Sequence, residues 1–347
     1  EIFIYKGFNR ISEITTYNAD VHFLINSFDW KKDDSYIFRI NVDDETMDIV
    51  RKCELKTEKL IECADFCLGL TPYDKYRGHT QEQIKNREFH ETYQKDDTFK
   101  KLLAGNDIRR YHVEWGGAEW ISYGKWLGAP REARFFKGKR ILIKQIIDWS
   151  DKRIWAAITN EELYNTQNAF NLIAKGDYIS EYLIALINSK LISFYHKKKF
   201  LEEFKDRFQK ILIKDAKEFP IKQITVQEQK QFVDAVNKIV TITNTLQRSI
   251  VAFFELVQSK FEIEKLTTKL QNWYELEFKD FLKELKKAKV QLSLSEEAEW
   301  MQYFKEQKQK AQELKSEIEK VDAEIDKMVY QLYGLTNEDI KIVEGEA

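Results

Sequence analysis

Apolar residues between positions 120 and 174 come in short runs separated by glycines or charged residues, which is typical of β-strands. The runs cover 120–123, 140–147, 154–159 and 170–174. After Asp177, a candidate N-cap, the spacing changes to three and four residues and predicts a helix. Its buried stripe would consist of Ile179, Leu183, Leu186, Ile187, Leu191 and Phe194. A further strand is predicted at 211–213, before a natural boundary at Phe219-Pro220-Ile221.

Beyond Thr225 the chain contains no proline and only two glycines, so we expect this part to be nearly all helix. Two stretches repeat apolar residues by three and four, as helices packed side by side do. They are Phe232, Ala235, Ile239, Ile242, Leu246, Ser249, Phe253 and Leu256, and then Ala311, Leu314, Ile318, Val321, Ile325, Met328 and Leu332. The two seams predict an antiparallel hairpin, with the aromatic-rich segment 261–300 forming further helices at one end.

These patterns predict an α+β fold. A mixed-sheet domain would span 57–222, and a mostly helical, coiled-coil-like domain with long antiparallel helices would span 223–347. Residues 1–56 carry short apolar runs without strong periodicity and are interpreted as a strand-containing connector.

Composition excludes several kinds of enzyme. Among 347 residues the three prolines are never adjacent, so the Asn-Pro-Pro-Tyr site of amino-methyltransferases cannot be present. No glycines stand in the dinucleotide-binding or phosphate-binding loop spacing. Three cysteines are too few for a disulfide framework, which favours a reducing cytoplasm. No apolar run is long enough to span a membrane, and position 1 is Glu with no leader after it, so we expect a cytoplasmic fragment of a longer protein.

Positive charge is concentrated in the middle of the chain. The whole chain has a net charge of −2, but residues 101–220 carry +7, whereas 1–100 carry −5 and 221–347 carry −4. The cations cluster at Arg109-Arg110, from Arg131 to Arg140, and at 197–199. A local excess of Lys and Arg suits the phosphates of nucleic acid, although a charge run can equally be a solvated surface.

Six stretches, taken together and in order, resemble a known family. They are Gly69-Leu-Thr-Pro-Tyr-Asp-Lys-Tyr-Arg-Gly78 and the segments 103–111, 120–124, 140–146, 186–194 and 324–336. The chain is similar to the TaqI-like C-terminal specificity domain of restriction-modification methyltransferases, in particular single-chain type IIG restriction enzymes. The resemblance covers about 57–222 and 313–345, and it implies that residues 1–56 are the connector from a missing methyltransferase domain.

The resemblance implies a target recognition module that binds double-stranded DNA in a bacterial restriction or phage-defence system. In such enzymes a neighbouring methyltransferase flips the target adenine and methylates it with S-adenosylmethionine. The family's catalytic segments have no counterpart here, so we expect no catalysis and no cofactor in this chain. S-adenosylmethionine and Mg²⁺ are expected for the parent enzyme. The partners would be duplex DNA and the methyltransferase or nuclease domains, and no membrane.

Candidate DNA contacts follow from polar residues in these stretches. The loop 69–79 offers Thr71, Tyr73, Lys75, Arg77 and His79, unless it is an ordinary surface turn. Arg109 and Arg110 either face DNA or form a salt-bridged turn with Asp107. Further candidates are Tyr123, Lys125, Arg131, Lys144, Gln145, Lys197, Lys198 and Lys199. Lys144 and Gln145 could instead mark a strand end, and the three lysines a solvated helix end, whereas Trp126 is expected in the core.

Two enzyme-like patterns have simpler explanations. Asp44 with Glu54-Leu-Lys56 mimics the acidic residues and lysine of a metal-dependent nuclease, but similar spacings recur along this charged chain. Cys63 and Cys67 with His79 lack an evident fourth metal ligand. The alternative to DNA recognition is a protein-interaction module in which the helical hairpin mediates assembly without contacting DNA.

Overall fold

The structure is a computed structural model that describes residues 2–6, 21–25, 43–147, 151–201, 209–263 and 267–345. Its strands are β1 (Ile2–Lys6), β2 (Val21–Ile25), β3 (Thr57–Lys59), β4 (Ala64–Leu68), β5 (His90–Glu91), β6 (Phe99–Leu103), β7 (Ile108–Arg109), β8 (His112–Val113), β9 (Trp120–Ser122), β10 (Arg140–Lys144), β11 (Ala156–Thr159), β12 (Tyr164–Asn165), β13 (Ala169–Ala174) and β14 (Pro220–Lys222). Its α-helices are α1 (Asp44–Glu54), α2 (Leu60–Cys63), α3 (Gln81–Lys85), α4 (Ser180–Ile187), α5 (Lys190–Phe200), α6 (Ile213–Lys217), α7 (Val226–Phe261), α8 (Phe278–Lys287), α9 (Leu294–Tyr333) and α10 (Asn337–Glu344). The class is α+β with a mixed sheet, as the sequence predicts.

Two four-stranded sheets form the centre of the molecule. The first has the order β11-β10-β13-β4 and is antiparallel throughout. The second has the order β12-β6-β9-β5 and contains one parallel pair, β12 with β6. Smaller antiparallel pairs join β14 to β3, β7 to β8 and β1 to β2.

The central strand β10 is buried on both faces. Ile141 and Ile143 belong to the main hydrophobic core together with the apolar residues of α4, whereas Leu142 packs in a second cluster with Leu103 and Leu163. Because successive side chains of a strand point to opposite faces, an unbroken apolar run is the pattern of a strand covered on both sides.

The helix predicted from 177 onwards is two helices. It begins later than Asp177, since Ile179 is the N-cap of α4, and it breaks at Asn188 and Ser189. The Asn188 side chain hydrogen-bonds both the N–H and the carbonyl of Ala156, and the Ser189 hydroxyl accepts from Ile192 N–H as the N-cap of α5. The Asn188 side chain is therefore bonded to β11 at the break, and the Ser189 side chain caps the start of a second helix.

The strand predicted at 211–213 is wrong. Ile211 N–H bonds the carbonyl of Gln145, but from Ile213 the chain forms α6, and the strand of this region is β14. β14 pairs with β3, with Ile221 opposite Glu58.

α7 and α9 form the predicted antiparallel hairpin. Residues 232–242 of α7 share a core with 321–333 of α9, and 246–257 share another with 300–311, so the helices run in opposite directions. The buried stripe departs from the predicted seam towards the far end: Ile250 and Val257 are buried, whereas Leu256 is exposed. A straight helix drifts relative to a seven-residue repeat, which accounts for this departure.

The far end of the hairpin is capped by an aromatic cluster. A short 3₁₀ segment at Thr268–Glu275 and the helix α8 pack against both long helices, as the aromatic content of 261–300 predicts. The cluster includes Phe253, Trp273, Phe281, Trp300 and Phe304, with the rings of Phe253 and Trp273 stacked 3.9 Å apart. The cap lies at the end where the chain passes from one long helix to the other, and these helices are 36 and 40 residues long.

One core joins residues from all three predicted segments. It contains Ile49 and Cys53 of α1, the inner face of the first sheet, and Phe232 and Val329 of the hairpin. The boundaries at 56 and 222 stay predictions about domains, since the buried side chains run continuously across both positions.

Candidate nucleic-acid interface

Two loops are hydrogen-bonded into one unit. They span residues 69–79 and 123–131 and are called here the paired loops. Thr71 and Ala129 exchange both backbone hydrogen bonds, and Gly128 N–H donates to Pro72. The two segments therefore behave as a short piece of antiparallel sheet, which fixes the position of the side chains that project from it.

Glycine permits the close approach of the paired loops. A Cβ at Gly128 would lie 2.9 Å from the Cβ of Asp74 and 3.0 Å from its backbone nitrogen. A Cβ at Gly124 would lie 2.3 Å from the ring of Trp126, which folds back over it. At Gly128 the crowding atoms include backbone, so glycine is needed there for packing, whereas at Gly124 a side chain would displace the exposed Trp126 ring.

Four predicted contact residues brace the paired loops from within. The Thr71 hydroxyl accepts a bond from Gln167, and the Tyr123 hydroxyl donates to the Arg131 carbonyl. His79 accepts from Asp74 N–H through Nδ1 and donates to the Trp126 carbonyl through Nε2. The fourth, Tyr73, accepts from Phe89 N–H and donates to His90 Nδ1.

His90 can accept the Tyr73 hydroxyl because its imidazole is neutral. Burial, with a smaller contribution from Arg87, lowers the pKa of His90 to about 4. Desolvation disfavours the charged form of a buried histidine. Hydrogen bonds from Thr71, Tyr73, His79 and Tyr123 thus help to position the loops, and a contact of these residues with DNA stays a prediction.

The remaining predicted residues of the paired loops point into solvent. Lys75, Arg77, Lys125 and Arg131 are all exposed, and no carboxylate in the described parts of the chain lies within ion-pair distance of any of them. The two loop segments contain only one acidic residue, Asp74, whose carboxylate accepts the Tyr76 N–H. The paired loops therefore present a net positive surface.

Two exposed aromatic rings lie among these cations. Tyr76 has 86% of its surface exposed, and Trp126 has 45%. The expectation that Trp126 lies in the core is wrong, because its indole N–H bonds the Ser122 carbonyl and its ring covers Gly124 at the surface. Sequence reasoning missed Tyr76 as a functional candidate; its position between Lys75 and Arg77 was the available signal.

Lys144 and Gln145 lie at the same end of the first sheet as the start of the 69–79 loop. In the antiparallel register, Lys144 faces Ala169 and the neighbouring Phe170 faces Leu68, from which the loop departs. Gln145 N–H donates to Asn168, and the adjacent Gln167 bonds Thr71. Lys144 is half-buried with its ammonium 4.6 Å from the centre of the Trp155 ring.

Lys197, Lys198 and Lys199 end α5. Lys197 is exposed, Lys198 lies over the ring of Phe194, and Lys199 forms an ion pair with Glu54 of α1. Positive charge also suits the carboxyl end of a helix dipole. For Lys199 the structure therefore favours the interpretation as a helix end, because its charge is taken up by a protein carboxylate.

Arg109 and Arg110 have different environments although they are adjacent. Arg109 is exposed and reaches Gln247 of α7 at 3.4 Å. The Arg110 side chain is only 17% exposed and donates both to the Asp322 carboxylate of α9 and to the Asn188 carbonyl. The prediction that Arg110 contacts DNA is corrected. Its charge is committed to the helical hairpin, and the acidic partner is Asp322 rather than the predicted Asp107.

Arg153 joins Arg110 to form a buried charge cluster. Its guanidinium bonds Asp322 at 2.8 Å, Asp326 at 3.2 Å and the Asn188 carbonyl at 2.6 Å. Burial acts to raise the pKa of Asp322, but the two guanidinium groups outweigh it and hold that pKa below its usual value. For Asp326 burial prevails and raises the pKa. The cluster links the chain segments that contain Arg110 and Arg153 to α9 through ion pairs that are shielded from solvent.

The arginines of the predicted basic cluster from Arg131 to Arg140 also have different environments. Arg134 bonds Asp65 and Glu132. Arg140 is fully buried and donates to the carbonyls of Gly138, Glu161 and Leu163, and this burial lowers its pKa to about 10. Part of the local charge surplus is therefore structural.

The enzyme-like patterns do not form sites. Asp44 begins α1 and Glu54 ends it, roughly 15 Å apart at 1.5 Å per residue, and Glu54 is bound by Lys199 and Tyr195. Within the described ranges, no three His, Cys, Asp or Glu residues are grouped so that they could hold a metal ion. None of the helices in those same ranges is long and apolar enough to cross a bilayer.

Comparison with protein families identifies two segments. Residues 100–221 match the TaqI-like C-terminal specificity domain. The match confirms the resemblance over this range, which contains Lys125 and Arg131, whereas the 69–79 loop lies before it. Residues 225–329 match a domain of unknown function, DUF8810. None of the curated proteins is close enough in sequence to count as a match.

Several solved structures of restriction-modification proteins share low similarity with the chain. The HsdS subunit from Thermoanaerobacter tengcongensis is 13% identical, with 59% of this chain and 45% of that chain covered and a TM-score of 0.33. The type IIG restriction endonuclease BpuSI is 11% identical, covering 57% and 29%, with a TM-score of 0.35. The type IIL enzyme MmeI, in complex with DNA, is 11% identical, covering 72% and 36%, with a TM-score of 0.31. The chain spans less than half of the length of each.

Proposed function

We propose that this chain binds double-stranded DNA and selects a short sequence in it. The observation that carries the proposal is the surface of the paired loops, where Lys75, Arg77, Lys125 and Arg131 are exposed and Asp74 is the only acidic residue of the two segments. Phosphates are recognised by such local groups of cations, and a rigid base for them fixes the protein on the duplex. The match of residues 100–221 to a specificity domain supports the same proposal.

The side chains divide by the chemistry they can perform. Lys75 and Lys125 act as point charges for phosphate oxygens, which carry no sequence information. Arg77 and Arg131 can each hydrogen-bond two acceptors of one guanine in the major groove. Gln145, half-buried at the neighbouring end of the first sheet, can bond adenine in the same groove.

The parent protein would use this recognition to place DNA in front of other domains. In the proposal an adenine methyltransferase domain, with S-adenosylmethionine, flips and methylates a base in the selected sequence. Cleavage with Mg²⁺ would belong to a nuclease domain. The chain described here contributes selection and carries out neither reaction, and the helical hairpin connects the recognition surface to those domains.

The test removes the exposed charges of the paired loops. The full chain, and a variant in which Lys75, Arg77, Lys125 and Arg131 are Ala, would each be used to enrich sequences from a random duplex pool. The control replaces four exposed lysines of α9 by Ala: Lys305, Lys310, Lys320 and Lys327. We expect the wild type and the control to enrich one sequence and the loop variant to enrich none.

Salt dependence separates phosphate contacts from base contacts. For duplex DNA the plot of log K against log salt has a negative slope, and each lost phosphate contact makes this slope less steep by about 0.9. The loop variant should therefore show a much shallower slope than the control. Equal slopes and equal enrichment in both variants would contradict the proposal and favour the protein-interaction module instead.

A further inference from the structure

Tyr76 is the most exposed large hydrophobic side chain in the described part of the chain. It lies at the tip of the 69–79 loop, with 86% of its surface open to solvent. Among the described residues, its ring contacts only the ammonium of the adjacent Lys75, 4.8 Å from the ring centre. Packing against these residues does not account for such a side chain.

The backbone under Tyr76 is firmly held. Lys75–Arg77 form one turn of 3₁₀ helix that Asp74 caps by accepting the Tyr76 N–H. Gly78 closes the turn in the left-handed region, at φ 95°, which glycine adopts without strain. His79 then links the turn to the Trp126 carbonyl on the other loop. The ring is thus presented on a rigid base, so little backbone order would be lost when it binds.

We propose that Tyr76 is a base-stacking wedge: its ring inserts at one step of the bound duplex and stacks on a nucleobase there. The inference rests on the proposed DNA binding and adds to it a contact that uses the aromatic face rather than charge. Lys75 on one side would hold a flanking phosphate and Arg77 on the other would contact a neighbouring guanine while the ring unstacks the step. Exposed apolar or aromatic side chains on basic surfaces are used by minor-groove proteins in this way.

The chain favours Tyr76 over Trp126 for this role. The Trp126 ring lies against Gly124, and its N–H is bonded to Ser122, so one face and the polar edge are occupied. Tyr76 has no such contacts beyond Lys75 and can enter between bases without disturbing the loop.

The experiment uses the full chain and the duplex enriched by the wild type. A single mismatch is moved through this duplex, and its affinity is measured for the wild type and for Tyr76→Ala at each position. The mismatch also weakens base contacts, but this loss is the same in both proteins because they carry the same base-contacting residues. It therefore cancels in the ratio of the wild-type affinity to the Tyr76→Ala affinity. A mismatch weakens base stacking at one step, so the insertion of a wedge costs least free energy when the mismatch is at the step that the wedge enters.

For the matched duplex we expect Tyr76→Ala to bind about tenfold more weakly, the effect of losing one stacked base. The ratio should rise further at one or two adjacent steps, and Tyr76→Phe should behave as the wild type because it keeps the ring. Tyr93→Ala, which removes another exposed tyrosine, is the control and should leave affinity unchanged.

Two results would overturn the wedge while leaving DNA binding intact: equal affinities of Tyr76→Ala and Tyr93→Ala with a flat ratio, or a loss in Tyr76→Phe as large as in Tyr76→Ala. If the wild type binds no duplex, the proposed function itself fails and the wedge fails with it. Unchanged thermal unfolding of Tyr76→Ala is expected throughout, since the side chain is outside the core.

Discussion

At the scale of single residues, adjacent identical side chains can have opposite roles. Arg109 and Arg110 are indistinguishable in the sequence, but the first is exposed and the second is bound by Asp322 from a helix more than 200 residues away in the chain. The acidic partner was invisible to local reasoning, because nothing in the spacing of residues 313–332 distinguishes Asp322 from the many other charges of α9. The clustering of Lys and Arg along the sequence located the region of the candidate site. It could not distinguish the exposed cations from those bound by protein carboxylates.

His196 is a residue whose burial makes the stability of the protein depend on pH. It is fully buried, with Phe200 and Phe219 about 6 Å away, and neither ring nitrogen has a hydrogen-bond partner among the described residues. Burial lowers its pKa to about 4 from an ordinary value of 6.5. The unfolded chain therefore binds a proton first as pH falls, so the contribution of His196 is complete above 6.5 and is lost between 6.5 and 4.

We expect the free energy of unfolding to fall by about 2 kcal/mol from pH 7 to pH 5 because of His196 alone. The measurement is urea unfolding of the wild type and of His196→Leu at both pH values. The pKa of His90 is also lowered, but that residue is present in both proteins, so its effect cancels in the comparison. An identical pH dependence in the two proteins would show that His196 is not buried in its neutral form.

At the scale of elements, hydrophobic periodicity predicts most of the architecture. The strand runs at 120–123, 140–147, 154–159 and 170–174 correspond to β9, β10, β11 and β13, and the two seams to α7 and α9. The predicted limits of helices are wrong where polar side chains form hydrogen bonds with the backbone. The break between α4 and α5 depends on the contact of Asn188 with Ala156, 32 residues away, which periodicity does not encode. The pairing of the two loops likewise depends on the close approach of Gly128 to Tyr73 and Asp74, which only the tertiary structure shows.

Gly128 tests whether the paired loops act as one element. Gly128→Ala would place a methyl group against the backbone of Tyr73 and Asp74, forcing the loops apart at a local cost of about 1–3 kcal/mol. Because the exposed cations lie on both loops, we expect affinity for the enriched duplex to fall about tenfold or more. Gly105→Ala is the matched control, since a Cβ there meets nothing within 4 Å and its backbone angle is ordinary.

The affinities of the two alanine variants would be compared by titration, alongside their thermal unfolding. A loss confined to Gly128→Ala, with both proteins folded, is the expected outcome. Similar affinities for both variants would mean that the two loops contact DNA independently of each other, or that only one of them does.

At the scale of the whole molecule, the helical hairpin and the sheets form one body through two kinds of contact. The main core contains side chains of both, and the charge cluster of Arg110, Arg153, Asp322 and Asp326 lies beside it. A division of the chain into domains at 56 and 222 follows the apolar patterns along the sequence, but these contacts cross it. Sequence patterns reveal what each segment forms, whereas the contacts between segments depend on surfaces that appear only after each has folded.

Asp322 tests this coupling. In Asp322→Ala both guanidinium groups would keep their buried positions with only Asp326 to balance them, and breaking a buried pair from one side costs about 3–5 kcal/mol. Glu324→Ala, at an exposed position of the same helix, should change the free energy of unfolding by less than about 0.5 kcal/mol. Removing Arg110 together with Asp322 should recover part of the loss, because one unbalanced charge goes with it. Urea unfolding of the wild type, Asp322→Ala, Glu324→Ala, Arg110→Ala and the double variant measures these free energies. If Asp322→Ala resembled Glu324→Ala, or if the double variant were less stable than the single one by the full cost of Arg110→Ala, the cluster would not hold the hairpin against the sheets by charge.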